Sequence, residues 1–258
     1  MLSDRAPSIR EQQTEDYHFF DPRAYVEEYY STIGAENTYL MHFHRAVAQT
    51  LPADSRMLEF GGGPTIYQLL NAADQVGEIV FSDYLQRNRA EVRKWLDADI
   101  DAINWDSYLD FVLRLQEVEP TPQARGWLRR KLASKVSGII ECDAFRSDVL
   151  GAPDAEAFDV VASSFCLECL TGEESEFLAA VGRVERLLKP GGTLVLALLK
   201  RAEGYKVGDL YFPAFPLDEE YATALLEEIG YEIMFLGSCP AEHQQGYEGL
   251  ITVAAVKR

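Results

Sequence analysis

Three consecutive glycines, Gly61-Gly62-Gly63, follow the apolar run Arg56–Phe60 and precede Thr65-Ile66-Tyr67-Gln68-Leu69-Leu70. Glycines at a strand-to-helix turn permit positive φ and let a ligand approach the backbone closely. The next apolar run, Glu78–Ser82, ends in Asp83, about twenty residues beyond the turn, where a carboxylate can hydrogen-bond ribose hydroxyls. Glycine turn plus acid points to an adenosine-type cofactor, and NAD and S-adenosylmethionine both suit it. Three features favour the second. Ile66 occupies the place of the last glycine in a dinucleotide GxGxxG register, so that register is absent. Glu59, just before the turn, can help hold an ammonium group. No pyrophosphate then needs a cradle.

Other groups offer less. Cys166-Leu167-Glu168-Cys169 has CxxC spacing, but zinc needs two more ligands and no second pair exists. His42 and His44, two apart, point in different directions on a helix. The expectation is no metal, with Cys142, Cys166, Cys169 and Cys239 as reduced thiols.

The elements that must position these residues can be read from periodicity. Strands are expected at 56–60, 78–82, 138–141, 158–163, 193–199, 231–237 and 250–256, short apolar runs alternating with helical stretches. That alternation predicts a parallel sheet covered on both faces. Before it, Asp21-Pro22 is an N-cap followed by proline at the first helical position. A second helix places Tyr39, Phe43, Ala46, Val47 and Thr50 on one face. The segment 84–137 is too long for one crossover. It reads as an insertion of three helices holding Trp95, Trp105 and Trp127, expected to pack as a small subdomain. The basic residues Arg125, Arg129, Arg130, Lys131 and Lys135 on its third helix read as a solvated face.

The 258 residues carry 42 acidic and 24 basic side chains, a formal charge of −18. Such a chain is repelled by phosphate backbones and anionic lipid, which argues against nucleic-acid and membrane-surface partners. No apolar run of about 18 residues occurs, and the first residues lack a secretory leader, so a cytoplasmic location is expected.

Longer strings carry a resemblance. Leu187-Leu188-Lys189-Pro190-Gly191-Gly192-Thr193-Leu194-Val195 resembles the LKPGG element of class I methyltransferases. Gly61–Leu70 resembles the GSGPTIYQLL segment of the nicotinamide, phenylethanolamine and indolethylamine N-methyltransferase family. Asp21-Pro22-Arg23-Ala24-Tyr25 with Glu28-Tyr29-Tyr30 is similar to its N-terminal PRxYLxxYY helix. Asp83-Tyr84 with Asn88, Phe165-Cys166-Leu167-Glu168 and Glu248-Gly249-Leu250 resemble further segments, in the family's order along nearly the whole chain.

The resemblance implies an α/β, Rossmann-like class I methyltransferase fold. Its seven-stranded, mostly parallel sheet ends in an antiparallel strand, with a helical lid at 1–52, a core at 53–258 and an insertion at about 84–137. It implies S-adenosylmethionine as cofactor and S-adenosylhomocysteine as product. Tyr17, Tyr25 and Tyr30 would close over the cofactor, and Gly61, Gly63 and Tyr67 would touch its methionine part. Asp83 would hold the ribose, Tyr84 would stack on the adenine with Asn88 assisting, and Asp143 and Ala144 would frame the adenine edge. Glu59 and Ser164 complete the expected cofactor set. Glu168 is the expected catalytic carboxylate, orienting the acceptor amine.

One departure bears on the acceptor. Relatives that bind nicotinamide or phenylethanolamine carry an acid where this chain has Ala197, and the nicotinamide enzyme a serine where it has Ala214. The pocket is therefore expected to be less polar and to take an aromatic or apolar amine or nitrogen heterocycle. Phe165, Glu168, Ala197, Tyr205, Phe212 and Phe215 would line it, with His243, Tyr247 and Glu248 as weaker polar candidates. Transfer to sulfur or oxygen, or a cofactor-binding scaffold without turnover, are the alternative readings. The expected partner is a small-molecule acceptor, and the expected state a monomer or weak dimer.

Overall fold

The computed structural model describes residues 17–151, 157–242 and 246–258. Seven strands form one sheet: β1 (Arg56–Phe60), β2 (Glu78–Asp83), β3 (Val136–Glu141), β4 (Phe158–Ser164), β5 (Leu188–Lys200), β8 (Tyr231–Pro240) and β9 (Gly249–Lys257). Their order is β3-β2-β1-β4-β5-β9-β8. The first five pair in parallel, and β9 runs antiparallel to both β5 and β8. The doubly covered parallel sheet with an antiparallel last strand is thus present. β5 begins earlier than its apolar pattern indicates, because Leu188 already pairs with Phe158 ahead of a register shift. A hairpin, β6 (Gly204–Val207) and β7 (Leu210–Pro213), was not legible as strand.

Side-chain alternation divides the core. Along β5, Val195, Ala197 and Leu199 enter one apolar cluster and Leu194, Leu196 and Leu198 the other. The first cluster is roofed by α1 (Pro22–Tyr30), α2 (Ala35–Ala48), α3 (Tyr67–Leu70), α4 (Gln86–Leu96), α5 (Asp106–Leu115) and α6 (Pro122–Lys135). The second is covered by α7 (Glu174–Glu185) and α8 (Glu219–Glu228).

The Asp21 side chain caps α1 by accepting from the backbone N–H groups of Arg23 and Ala24. The buried stripe of α2 is Leu40, Met41, Phe43, His44, Val47 and Ala48, while Ala46 and Thr50 face solvent. The expected face was rotated, because Leu40 and His44 extend the apolar row through Val47 at helical spacing. Trp95 and Trp105 join the same cluster as the sheet rather than a core of their own, and Trp127 is half exposed. The basic residues of α6 are not simply solvated. Arg125 makes two bonds to Asp110, at 2.6 and 2.8 Å, Arg129 donates to the carbonyl of Trp95, and Lys131 pairs with Asp74.

Candidate active site

The strand order reverses between β1 and β4, and there the sheet opens a crevice at its carboxyl edge. Two turns meet across it. Gly61 after β1 has φ +65°, and a Cβ built there would lie 2.0 Å from Cys166 Sγ, contributed by the loop after β4. Gly63 has φ +64°, and its N–H donates to Asp83 Oδ2 at 2.8 Å. Asp83 Oδ1 accepts from the Leu85 N–H at 2.8 Å and from Asn88 Nδ2 at 3.0 Å. One carboxylate at the end of β2 therefore ties the glycine turn to the start of α4. Burial pushes the Asp83 carboxyl up, while these donors and Arg89 pull it back.

A cavity of about 840 Å³ opens over these turns. That is room for a drug-sized cofactor together with a small acceptor. At one end are Asp83, Tyr84, Leu85, Asn88, Cys142, Asp143, Ala144 and Phe145. Tyr84 and Phe145 are about half exposed there, two apolar faces at the rim. At the other end Tyr17, Tyr25, Tyr29, Tyr30, Tyr205 and Tyr247 form an aromatic box, with Gly61, Gly63, Ser164 and Phe165 between. Phe165 adopts φ +55°, rare for a bulky residue, and is held there by donating its N–H to Ala197 O at 2.8 Å. The Tyr25, Tyr30 and Tyr67 hydroxyls are spaced 3.4 Å apart in sequence. Burial raises the pKa of all three, so they stay protonated at neutral pH.

Several expected contacts lie elsewhere. Glu59 is fully buried beneath the turn, where its Oε1 accepts from Gln68 Nε2 at 3.2 Å. It does not line the cavity, and its bond to Gln68 ties β1 to α3 beneath the turn. Tyr67 is likewise behind the wall, on α3. Glu168 is fully buried and does not line the cavity; its Oε1 accepts from the Leu199 N–H at 2.8 Å. That bond ties it to Leu199, which does line the cavity. Ala197 sits two residues deeper on β5, fully buried. Phe212 backs the box, its ring 5.0 Å from Tyr17 and 5.5 Å from Tyr205. Phe215 is stacked on Phe177 at 4.7 Å in the opposite cluster, because its N–H is drawn to Glu168 O. Glu248 is exposed and pairs with Arg201. His243 lies outside the described residues.

Sequence reasoning missed Tyr29, Glu36, Asn37 and Cys142 as lining residues. Tyr29 was visible as the other half of the Tyr29-Tyr30 pair. Glu36 had no motif around it. Burial pushes the Cys166 and Cys169 thiols well up, which makes them poor thiolates for redox chemistry. Among the described residues no group of three or more His, Cys, Asp or Glu could hold a metal ion, and no helix is long and apolar enough to cross a membrane.

The two buried glutamates set a pH dependence. Burial lifts Glu59 from 4.5 to about 8 and Glu168 from 4.5 to about 7. The folded chain thus holds these protons more tightly than the unfolded chain. Their stabilising contribution is complete below the unfolded value and is lost as pH rises through the folded ones. The Tm is expected to fall from about pH 4.5 to about pH 8 and to level off above, and Glu168→Gln to flatten part of the fall below about pH 7. Superimposable wild-type and variant curves in scanning calorimetry would remove Glu168 as a source.

Comparison with known proteins agrees with this geometry. The model of the NNMT/PNMT/TEMT family matches residues 9–258. Human nicotinamide N-methyltransferase is 31% identical over 248 residues, 92% of this chain and 93% of that one. Mouse indolethylamine N-methyltransferase is 29% identical over 254 residues, 94% and 95% of the two chains. Among solved structures, the DhpI complex with S-adenosylhomocysteine superposes with a TM-score of 0.57 at 14% identity, covering 97% of this chain and 98% of its own. The N-methyltransferase NodS of Bradyrhizobium japonicum WM9, also with S-adenosylhomocysteine, gives 0.52 at 14% identity, covering 87% and 88%. The chain belongs to the NNMT/PNMT/TEMT family, S-adenosylmethionine-dependent methyltransferases on the class I fold.

Proposed function

We propose that this enzyme N-methylates a small aromatic or apolar amine, working in the cytoplasm as a monomer or weak dimer, with residues 1–52 as a lid over its active site. The observation that carries the reading is one cavity with two unlike ends: turn-held carboxylates at one and a tyrosine box at the other. The residues suit S-adenosylmethionine. Asp83 and Asn88 are placed for ribose hydroxyls, Tyr84 and Phe145 for the adenine faces, and Gly61 and Gly63 leave backbone accessible for the amino-acid part. Bound there, the cofactor would supply an electrophilic methyl group on a sulfonium for the lone pair of the acceptor nitrogen.

The chain contributes orientation and exclusion of water. Tyr29 anchors the lid to the hairpin by donating to Lys206 O at 2.9 Å and accepting from Lys206 N at 3.2 Å. Tyr17 donates to Cys169 O at 2.6 Å and closes the near side. These bonds fix the walls of the box against the hairpin and the loop after β4.

Calorimetry is expected to show S-adenosylmethionine and S-adenosylhomocysteine binding at micromolar levels without NAD binding. Labelled methyl is expected to appear on members of an arylalkylamine panel. NAD binding with no sulfonium binding would sink the reading, and label on thioethers or phenols alone would replace nitrogen as the acceptor.

A further inference from the structure

The hydroxyls around the tyrosine box are committed to the protein itself. Tyr17 and Tyr29 donate to the carbonyls of Cys169 and Lys206, and Tyr247 donates to Glu36. The Tyr25 and Tyr30 hydroxyls lie against one another, with that of Tyr67 behind them. The sheet contributes Leu199 of β5 and Leu250 of β9, both apolar. An amide lines this end as well: Asn37, in the first turn of α2.

Asn37 is 8% exposed, and its amide is fixed in direction. Nδ2 donates to Tyr29 O at 2.9 Å and to Thr32 O at 3.3 Å, two carbonyls at and just beyond the end of α1. That pair of partners settles which end of the amide is nitrogen, because an oxygen in its place would meet two acceptors. Oδ1 is therefore an acceptor on the other side of the amide, and among the described residues nothing donates to it. Nor is it sealed in the interior, as the unpartnered oxygens of Asn71 and Asn88 are. Asn37 thus keeps an open, unbonded oxygen in a nearly buried side chain, and the open space beside it is the cavity.

We propose that Asn37 is the specificity-determining contact for the acceptor: its Oδ1 accepts an N–H from the nitrogen to be methylated, so the site selects primary and secondary amines over ring nitrogens that carry no hydrogen. The inference rests on the methyltransferase reading and narrows its acceptor class, and binding alone tests it. A ligand that fills the box removes Oδ1 from water. An amine replaces the lost bond, with charge assistance when it is an ammonium. A bare ring nitrogen sets a lone pair against a lone pair and leaves the oxygen unsatisfied. The bonds to Tyr29 O and Thr32 O keep the amide from turning its nitrogen toward such a ligand.

Calorimetric titration of protein saturated with S-adenosylhomocysteine provides the test, with two probes of one shape: tetrahydroisoquinoline, which carries N–H, and isoquinoline, which does not. Wild-type protein is expected to bind the first at least about 10-fold more tightly. Asn37→Ala is expected to weaken tetrahydroisoquinoline about 10- to 100-fold and isoquinoline by less than about threefold. A role confined to the bonds at the end of α1 would weaken both probes together. Asn37→Asp loses those donors but keeps an acceptor oxygen, so it is expected to lower the Tm as Asn37→Ala does and yet retain the wild-type preference between probes. Equal binding of the two probes by wild-type protein overturns the inference, whether or not a variant folds. So does parallel loss of both probes in Asn37→Ala, or loss of the preference in Asn37→Asp. Wild-type protein that binds S-adenosylhomocysteine but neither probe overturns it too. Failure to bind S-adenosylhomocysteine at all defeats the methyltransferase reading instead.

Discussion

Asp83→Ala is expected to abolish measurable S-adenosylmethionine binding and to lower the Tm. Three donors lose their acceptor at once: the Gly63 N–H, the Leu85 N–H and Asn88 Nδ2. Each buried donor left unsatisfied costs about 1–3 kcal/mol, although waters entering the widened site recover part of it. A net loss of about 3 kcal/mol corresponds to a fall in Tm of roughly 6–12 °C for a chain of this size. The effect on the cofactor is expected to exceed that on stability, because the same carboxylate both lines the cavity and fixes the glycine turn. Loss of a charged partner to ribose hydroxyls costs about 1.5–3 kcal/mol on its own, before the turn relaxes. Affinity is expected to drop at least about 100-fold. Asp83→Asn is the milder control. It keeps one acceptor oxygen, so the Tm recovers more than the affinity does. Binding within threefold of wild type for Asp83→Ala, by calorimetry, would refute the role of this carboxylate.

Gly61→Ala is expected to be nearly as damaging, for steric rather than electrostatic reasons. At φ +65° an alanine costs about 1–2 kcal/mol in backbone strain. Its Cβ would also sit 2.0 Å from Cys166 Sγ and 2.7 Å from Cys166 Cβ, so the loop after β4 must move. Overpacking of this kind typically costs about 1–3 kcal/mol. The two contributions can be separated. Cys166→Ala removes the sulfur that blocks the new methyl, so the double variant is expected to recover part of the steric cost and none of the backbone strain. The pair should therefore be non-additive in a double-mutant cycle read by thermal denaturation. Additive effects would mean that the two turns do not meet across the crevice.

Much of this architecture was legible before any coordinates. The central strands of the main sheet showed as short apolar runs, since a strand buried on both faces has little polar sequence to interrupt it. The glycine turn and Asp83 were legible because their chemistry is local. A positive φ demands glycine, and an acid at a strand end has few ways to point. The β6–β7 hairpin was not legible. Gly204–Pro213 has only four residues per strand and is stabilised by contacts from distant helices, such as Tyr29 with Lys206.

The acceptor end divides along the same line. Type and spacing brought out Tyr25, Tyr30, Phe165, Tyr205 and Tyr247, which line the cavity, but also Glu168, Phe212 and Phe215, which do not. In sequence Glu168 stands three residues from Phe165, and nothing local says that its carboxylate turns inward to meet the Leu199 N–H. Glu36 and Tyr247, 211 residues apart, meet only because α2 packs beside the start of β9. The linear chain determined the fold class, the cofactor turn and the acid that follows it, because each depends on neighbours within about thirty residues. The tertiary structure decided which carboxylates line the cavity and which are buried behind it, because burial and direction depend on what the rest of the chain places around a side chain.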